Sequence, residues 1–334
     1  MLRPSGCLGG GERFMKTPAK TIYVVCPSDA VTGGPEVLHQ LVHELKRIGL
    51  DAFISYFPFD APQVTPVEYR KYKVPIGQIT DSQQNVVVIP EVLTGLIRKF
   101  RSAQVAVWWL SVDNYFGSYS VSTLARAARS FQLLLLGRRV PLFFLGRARH
   151  FTQSYYAQQF LREHKLNGEM LSDYVSEEHC TSDVCSRSRE DFIVYNPKKG
   201  YGVTSLLINA CPEFRFVALQ DLSISEVRLL LGGAKVYIDF GHHPGKDRIP
   251  REAALAGCCL ITGLSGSAYY NQDVPIPSDY KFDHQCPELI TQFRHLVGDI
   301  FVNFRAHQNR FDEYRNTILG ERLRFSAEVR DAFL

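Results

Sequence analysis

The sequence alternates, twice over, between short apolar β-branched runs and amphipathic segments of helical period, the pattern of a parallel sheet joined by crossover helices. In the first series, residues 21–26 (TIYVVC), 51–56, 85–89, 104–110 and 150–154 read as strands, with helices predicted over 36–48, 91–101 and 155–163. A polar interval, 176–190, separates it from the second series, whose strands are 191–195, 214–219, 235–240 and 258–262. Helices are predicted there near 201–210, 223–231 and 250–257, and the C-terminal stretch reads as helical. The pattern predicts an α/β protein of two Rossmann-like doubly wound domains facing a cleft, with the carboxyl ends of both sheets turned toward a ligand. A length of 334 residues suits two cores, because single cores stop growing at about 250–300 residues. The expected divisions are a disordered leader over 1–18, a first domain over 19–168, a second over 169–305 and a helical segment over 306–334.

With 45% apolar and 22% charged residues, the chain is neither disordered nor fibrous. A net charge of +4 is too weak to argue for nucleic acid, and no nucleic-acid partner is expected, although the charge suits an anionic ligand or an acidic membrane surface. Arg138 and Arg139 interrupt the longest apolar stretch, which falls short of the roughly 20 residues of a membrane-spanning helix. Residues 1–16 lack the apolar core of a secretory signal. The eight cysteines are scattered without a CxxC pair, as small buried hydrophobes in a reducing, cytoplasmic compartment. Cys180 and Cys185 resemble half of a metal site, but no second pair follows, so no metal is expected.

Three stretches carry candidate chemistry. Thr32-Gly33-Gly34 stands between the first strand and its helix, where unpaired backbone N–H groups and the helix dipole can hold an anion or a sugar hydroxyl. A tight turn without a ligand is the plain alternative. Asn196-Pro197-Lys198-Lys199-Gly200 follows the first strand of the second series, so its lysines either face a diphosphate in the cleft or form a solvated charge run. The stretch VYIDFGHHPGKDRIPREAALAGCCLITG, residues 236–263, places His242, His243, Lys246 and Arg248 on a loop before a helix, with Pro250 at a plausible first helical position. Glu252 would then sit in the first turn, where it either caps the dipole or accepts hydrogen bonds from a ribose diol. His242 and His243 are loop residues or cleft donors.

Residues 124–149 (LARAARSFQLLLLGRRVPLFFLGRAR) interleave arginines with leucines and phenylalanines and hold no acidic residue. Part of the segment is expected as buried strand. The alternative is peripheral contact with anionic lipid.

These residues resemble a GT-B glycosyltransferase, nearest to the retaining family 4 (group 1) type. Thr32-Gly33-Gly34 resembles that family's glycine loop, Pro90-Glu91 and Val107-Trp108-Trp109-Leu110 its first domain, and 153–161 its switch to the second. Residues 196–200 resemble its Arg…Lys-Gly segment, and 250–262 the helix and strand after its paired glutamates. The chain departs from the family at two points: Glu252 matches the second glutamate while the first falls on Pro244, and the family arginine falls near Asn196. The resemblance implies transfer of a sugar from a nucleotide-sugar donor to a saccharide or lipid-linked acceptor, in polysaccharide, capsule or O-antigen synthesis. It implies donor binding by Gly33, Gly34, Asn196, Lys198, Lys199 and Glu252. The loop before the helix adds, on its own chemistry, Lys246 as a further donor-binding candidate and His242, His243 and Arg248 as catalytic candidates, Arg248 by supplying the missing positive charge. No cofactor or metal is implied, and the location is cytoplasmic, with peripheral contact at the inner face of the membrane. The two departures leave a binding or scaffold protein of the same shape as an alternative, and a nucleotide-sugar epimerase of the same architecture as another.

Overall fold

The computed structural model describes residues 20–28, 32–117, 123–176 and 188–334, with the backbone alone for 123–126. In the first lobe, strands β1 (Thr21–Pro27), β2 (Asp51–Phe57), β3 (Val86–Pro90), β4 (Gln104–Trp109), β5 (Arg149–Thr152) and β6 (Glu169–Met170) pair in parallel, in the order β2-β1-β3-β4-β5-β6. The interior of β1 and all of β3 are buried on both faces, which is why they are continuous Val and Ile runs without alternation. Helices α1 (Gly33–Arg47), α2 (Val112–Phe116), α3 (Thr123–Leu135) and α4 (Tyr155–Glu163) make the crossovers, with 3-10 helices at Glu91–Lys99 and Leu142–Arg147. Leu38, Leu41 and Trp108 pack in the core on one face of the sheet, and Leu96, Trp109 and Phe160 on the other.

The second lobe runs β7 (Glu190–Tyr195), α5 (Tyr201–Ala210), β8 (Arg215–Ala218), α6 (Ile224–Gly233), β9 (Ala234–Asp239), α7 (Arg248–Leu255), β10 (Cys259–Gly263) and β11 (Lys281–Phe282). Its sheet order is β11-β10-β9-β7-β8. Helices α8 (Leu289–Val302), α9 (Phe304–Asn309) and α10 (Asp312–Leu319) follow, and Phe293, Val297 and Tyr314 join this lobe's core. Helix α11 (Glu321–Phe333) then crosses back to the first lobe, stacking Phe325 on Trp108 with ring centroids 6.4 Å apart. Strand order reverses between β1 and β3 and again between β7 and β9, and each reversal opens a crevice at the carboxyl ends of the strands.

The structure corrects several expectations. β6 pairs with β5, Leu171 and Tyr174 enter the first core, and so do Val329 and Phe333 of α11. The first lobe therefore extends past residue 168 and recovers the chain's end, replacing the division at 168/169 and the separate segment 306–334. No strand lies in 124–148: neighbouring parallel strands need a crossover, and α3 supplies it between β4 and β5. The leucine run ends that helix, with Leu133 buried and Leu135 and Leu136 in water. The helix predicted over 91–101 is a 3-10 segment broken at Leu93. The 1–18 leader, Cys180 and Cys185 lie outside the described residues. The described cysteines are free, with Cys26, Cys211, Cys258 and Cys259 buried. Among the described residues no helix is long and apolar enough to cross a membrane.

Candidate functional site

A cavity of about 520 Å³ lies between the lobes where the two crevices face each other, a volume suited to a small-molecule ligand. One wall is the start of α1, with Thr32, Gly33 and Gly34. A Cβ on Gly33 would meet nothing within 4 Å, one on Gly34 only Leu110 Cδ1 at 3.8 Å, and neither residue has positive φ. Neither backbone conformation nor packing calls for glycine here. What the glycines provide is open access to the N–H groups at the head of a 15-residue helix.

The facing wall is built by the loop after β7 and the start of α7. Asn196 accepts the Lys198 amide on Oδ1 at 3.0 Å, a turn that leaves Lys198 exposed and brings Lys199 to the cavity. Gly200, at φ 61°, ends the turn where a Cβ would lie 2.3 Å from the Phe240 carbonyl carbon, so both its conformation and the close approach demand glycine. The Lys199 ammonium donates to Asp247 at 2.5 Å. Arg248 reaches across the cleft to Glu36 (2.9 Å) while its Nε meets Glu252 at 2.8 Å. Burial pushes the Glu36 carboxyl up, but Lys71 at 3.0 Å, Arg248 and the Tyr72 hydroxyl outweigh it and hold it below the ordinary carboxylate range.

Behind these groups lies a largely buried network, of which Asp173, Lys246 and Arg251 also border the cavity. Arg251 grips Asp173 through both terminal nitrogens, at 3.1 and 2.6 Å, and Glu321 at 2.7 Å. The Lys246 ammonium is 2.8 Å from Glu321 and 3.6 Å from Asp173. Burial pulls the Arg251 pKa down, yet the Asp173 and Glu321 carboxylates prevail and hold it above the ordinary value. The network ties α7, the segment after β6 and the first turn of α11 into one unit.

The lobes are closed upon one another. The Val112 amide donates to the Pro244 carbonyl at 3.1 Å, and a Cβ on Gly245 would sit 2.3 Å from the Leu110 carbonyl oxygen. His242 bridges Asp113 (2.6 Å, Nε2) and Ser265 (2.7 Å, Nδ1). The amides of Tyr155 and Tyr156, at the head of α4, donate to Asp273 at 2.7 and 2.9 Å.

His243 is completely buried, with Nε2 3.4 Å from Asp239 and Nδ1 3.8 Å from Asp247. Burial disfavours its charge, but the two carboxylates outweigh burial and raise its pKa. Asp239, His243 and Asp247 place donor atoms within 4.8 Å of one another. The imidazole, however, turns a different nitrogen to each carboxylate and Lys199 already engages Asp247, an arrangement that fits a charged ring between two carboxylates better than a cation held through one ring nitrogen.

Of the sequence-predicted residues, Gly33, Gly34, Asn196, Lys199, Lys246 and Arg248 line the cavity. Lys246 does so with its ammonium committed to the buried network. Lys198 faces water. His242 and His243 are not among the lining residues: the first belongs to the interlobe clasp and the second is sealed beneath the loop. Helix α7 begins at Arg248, two residues before Pro250, so Glu252 lies in the second turn, buried and paired with Arg248, and its first-turn capping reading is corrected. Sequence reading missed Glu36, Asp113, Asp173, Arg251 and Glu321. Glu36 directly follows the glycine pair and Pro35, a signal that was available, whereas no local pattern announces Asp173 or Glu321.

No family model matches the sequence, and no curated protein does. Solved structures match over nearly the whole chain. A sucrose-phosphate synthase from Thermosynechococcus elongatus is 12% identical, with a TM-score of 0.64 over 94% of this chain and 99% of that one. The Anabaena protein HepE, solved in complex with UDP-glucose, is 10% identical, with a TM-score of 0.62 over 93% and 98%. A glycosyltransferase from Rickettsia africae ESF-5 is 13% identical, with a TM-score of 0.57 over 93% and 99%. With two parallel Rossmann-like sheets facing an interlobe cavity, this chain has the GT-B fold.

Proposed function

We propose that the protein is a glycosyltransferase, moving a sugar from a nucleotide-sugar donor to a saccharide or lipid-linked acceptor in polysaccharide, capsule or O-antigen synthesis. The observation that carries this reading is one cavity lined by the open glycine head of α1 from one lobe and by Lys199 and Arg248 from the other. Lys199 and Arg248 keep about a third and two fifths of their side chains exposed, whereas Lys246 and Arg251 are buried in pairs. The first two are therefore the cations a diphosphate can reach. Glu36 and Asp247 hold them in place beforehand, and phosphate oxygens replace those carboxylates on binding. Charge that develops on the leaving diphosphate is then stabilised by the two cations and the Gly33 and Gly34 amides, without a metal or other cofactor. The closed lobes keep water from the donor. The work is done in the cytoplasm, with the acceptor side reaching the inner face of the membrane.

A thermal-shift screen of nucleoside diphosphates and their sugars tests the reading. A ligand at 100 times its Kd stabilises by about 2.7 kcal/mol, and donor turnover by the purified protein should follow. Binding without turnover of donor or acceptor would favour a scaffold role, which the loss of a carboxylate at Pro244 supports.

A further inference from the structure

The first lobe holds a second cavity, of about 580 Å³, at the far end of α2 from the cleft: Ser111, which caps the start of the helix, lines one cavity and Gly117, which caps its end, the other. Its apolar wall is formed by Phe57, Val92, Leu93, Leu96, Leu133 and Leu136. Lys99, Arg129 and Arg138 also line it, and no lining residue is acidic. Helix α3, which lines it through Arg129 and Leu133, and the 3-10 helix that follows are unusual for a protein in water. Phe131, Leu135 and Leu136 at the end of α3 are exposed, and Phe143 and Phe144 of the next 3-10 helix are 77% and 57% exposed with their rings 4.3 Å apart. Arg129, Arg138 and Arg147 of the same stretch of chain are exposed as well. The sequence contains no Asp or Glu between Asp113 and Glu163.

We propose that this face docks on an anionic lipid membrane, with the second cavity taking a lipid phosphate at Lys99, Arg129 and Arg138 and the adjoining chain along its apolar wall. The chemistry selects this occupant over an acidic protein. Exposed phenylalanines and leucines interspersed along the chain with exposed arginines gain from entering the headgroup boundary, where apolar burial and attraction to anionic lipid add. An acidic peptide would satisfy the arginines and leave the apolar wall unfilled. The proposal rests on the transferase reading for its purpose, delivery of a lipid-linked acceptor beside the donor cavity, but docking itself needs no nucleotide.

The test is cosedimentation of the full chain with vesicles of phosphatidylcholine alone and of phosphatidylcholine with phosphatidylglycerol. Binding is expected only to the second kind and should weaken as salt is added. The double variant Arg129→Glu, Arg138→Glu should lose at least about tenfold in partitioning. Phe143→Ser, Phe144→Ser should lose a comparable amount while keeping the wild-type unfolding midpoint, since both rings are exposed. Failure of the wild type to bind anionic vesicles, undiminished binding by both variants, or equal capture on polyglutamate beads would each overturn the proposal. Nucleoside diphosphate thermal shifts measured on the same proteins report on the donor cleft separately, so a failed docking face and a failed transferase reading give different results.

Discussion

Nε2 of His242 in the second lobe lies 2.6 Å from Oδ2 of Asp113 in the first, and this pair, with the Val112 amide on the Pro244 carbonyl, holds the cleft closed. The loop of residues 242–248 thus acts twice: its first half joins the lobes and its second half presents Arg248 to the cavity. At Pro244 it is the main chain that meets the opposite lobe.

The clasp can be weighed directly. His242→Ala strips Asp113, itself buried, of a partner and should cost about 1–3 kcal/mol of stability in urea unfolding. His242→Gln, which still offers a donor, should recover part of the loss. If the alanine variant unfolds like wild type, the pair contributes nothing to closure.

The two neighbouring lysines should separate cleanly. Lys199→Ala and Arg248→Ala are each expected to weaken nucleoside diphosphate binding by about tenfold or more, the scale of a charge-assisted hydrogen bond. Lys198→Ala should bind within about twofold of wild type, because its side chain faces water. Calorimetric titration decides it, and equal losses at 198 and 199 would refute the assignment.

The buried network should behave as one unit. Glu321→Ala leaves Arg251 and Lys246 short of a carboxylate, and removal of one partner from a buried ion pair costs about 3–5 kcal/mol. In the double-mutant cycle, adding Arg251→Met should cost much less than the sum of the two single changes. Additive losses would show that the two residues act independently.

Glu91 yields a pH prediction. Burial pushes its carboxyl up to about 7, although the Leu110 amide donates to it at 3.0 Å and Arg139 opposes the rise. A folded value above the ordinary 4.5 means that this group's contribution is complete below that pH and is lost as pH rises through 7. Glu91→Gln should therefore gain on wild type across that window, by up to about 3 kcal/mol. Unfolding compared at roughly pH 5 and pH 8 checks it, and a constant difference would assign the residue an ordinary pKa.

Local pattern in the sequence was enough for the two doubly wound lobes, the glycine head of α1 and the lysine loop after β7, because strand and helix periodicities and turn residues act over a few positions. It could not rank the cations of 246–252. Arg248 and Arg251 stand three residues apart and both border the cavity, yet one keeps much of its side chain exposed while the other is buried against Asp173 and Glu321, each 70 or more positions away in the chain. Nor could it distinguish the exposed leucines of α3 from a buried strand, since a short apolar run fits either until the crossover from β4 to β5 is drawn. Burial and charge pairing are properties of segments brought together from distant parts of the chain. Only the packed lobes decided which groups reach a ligand and which hold the lobes in place.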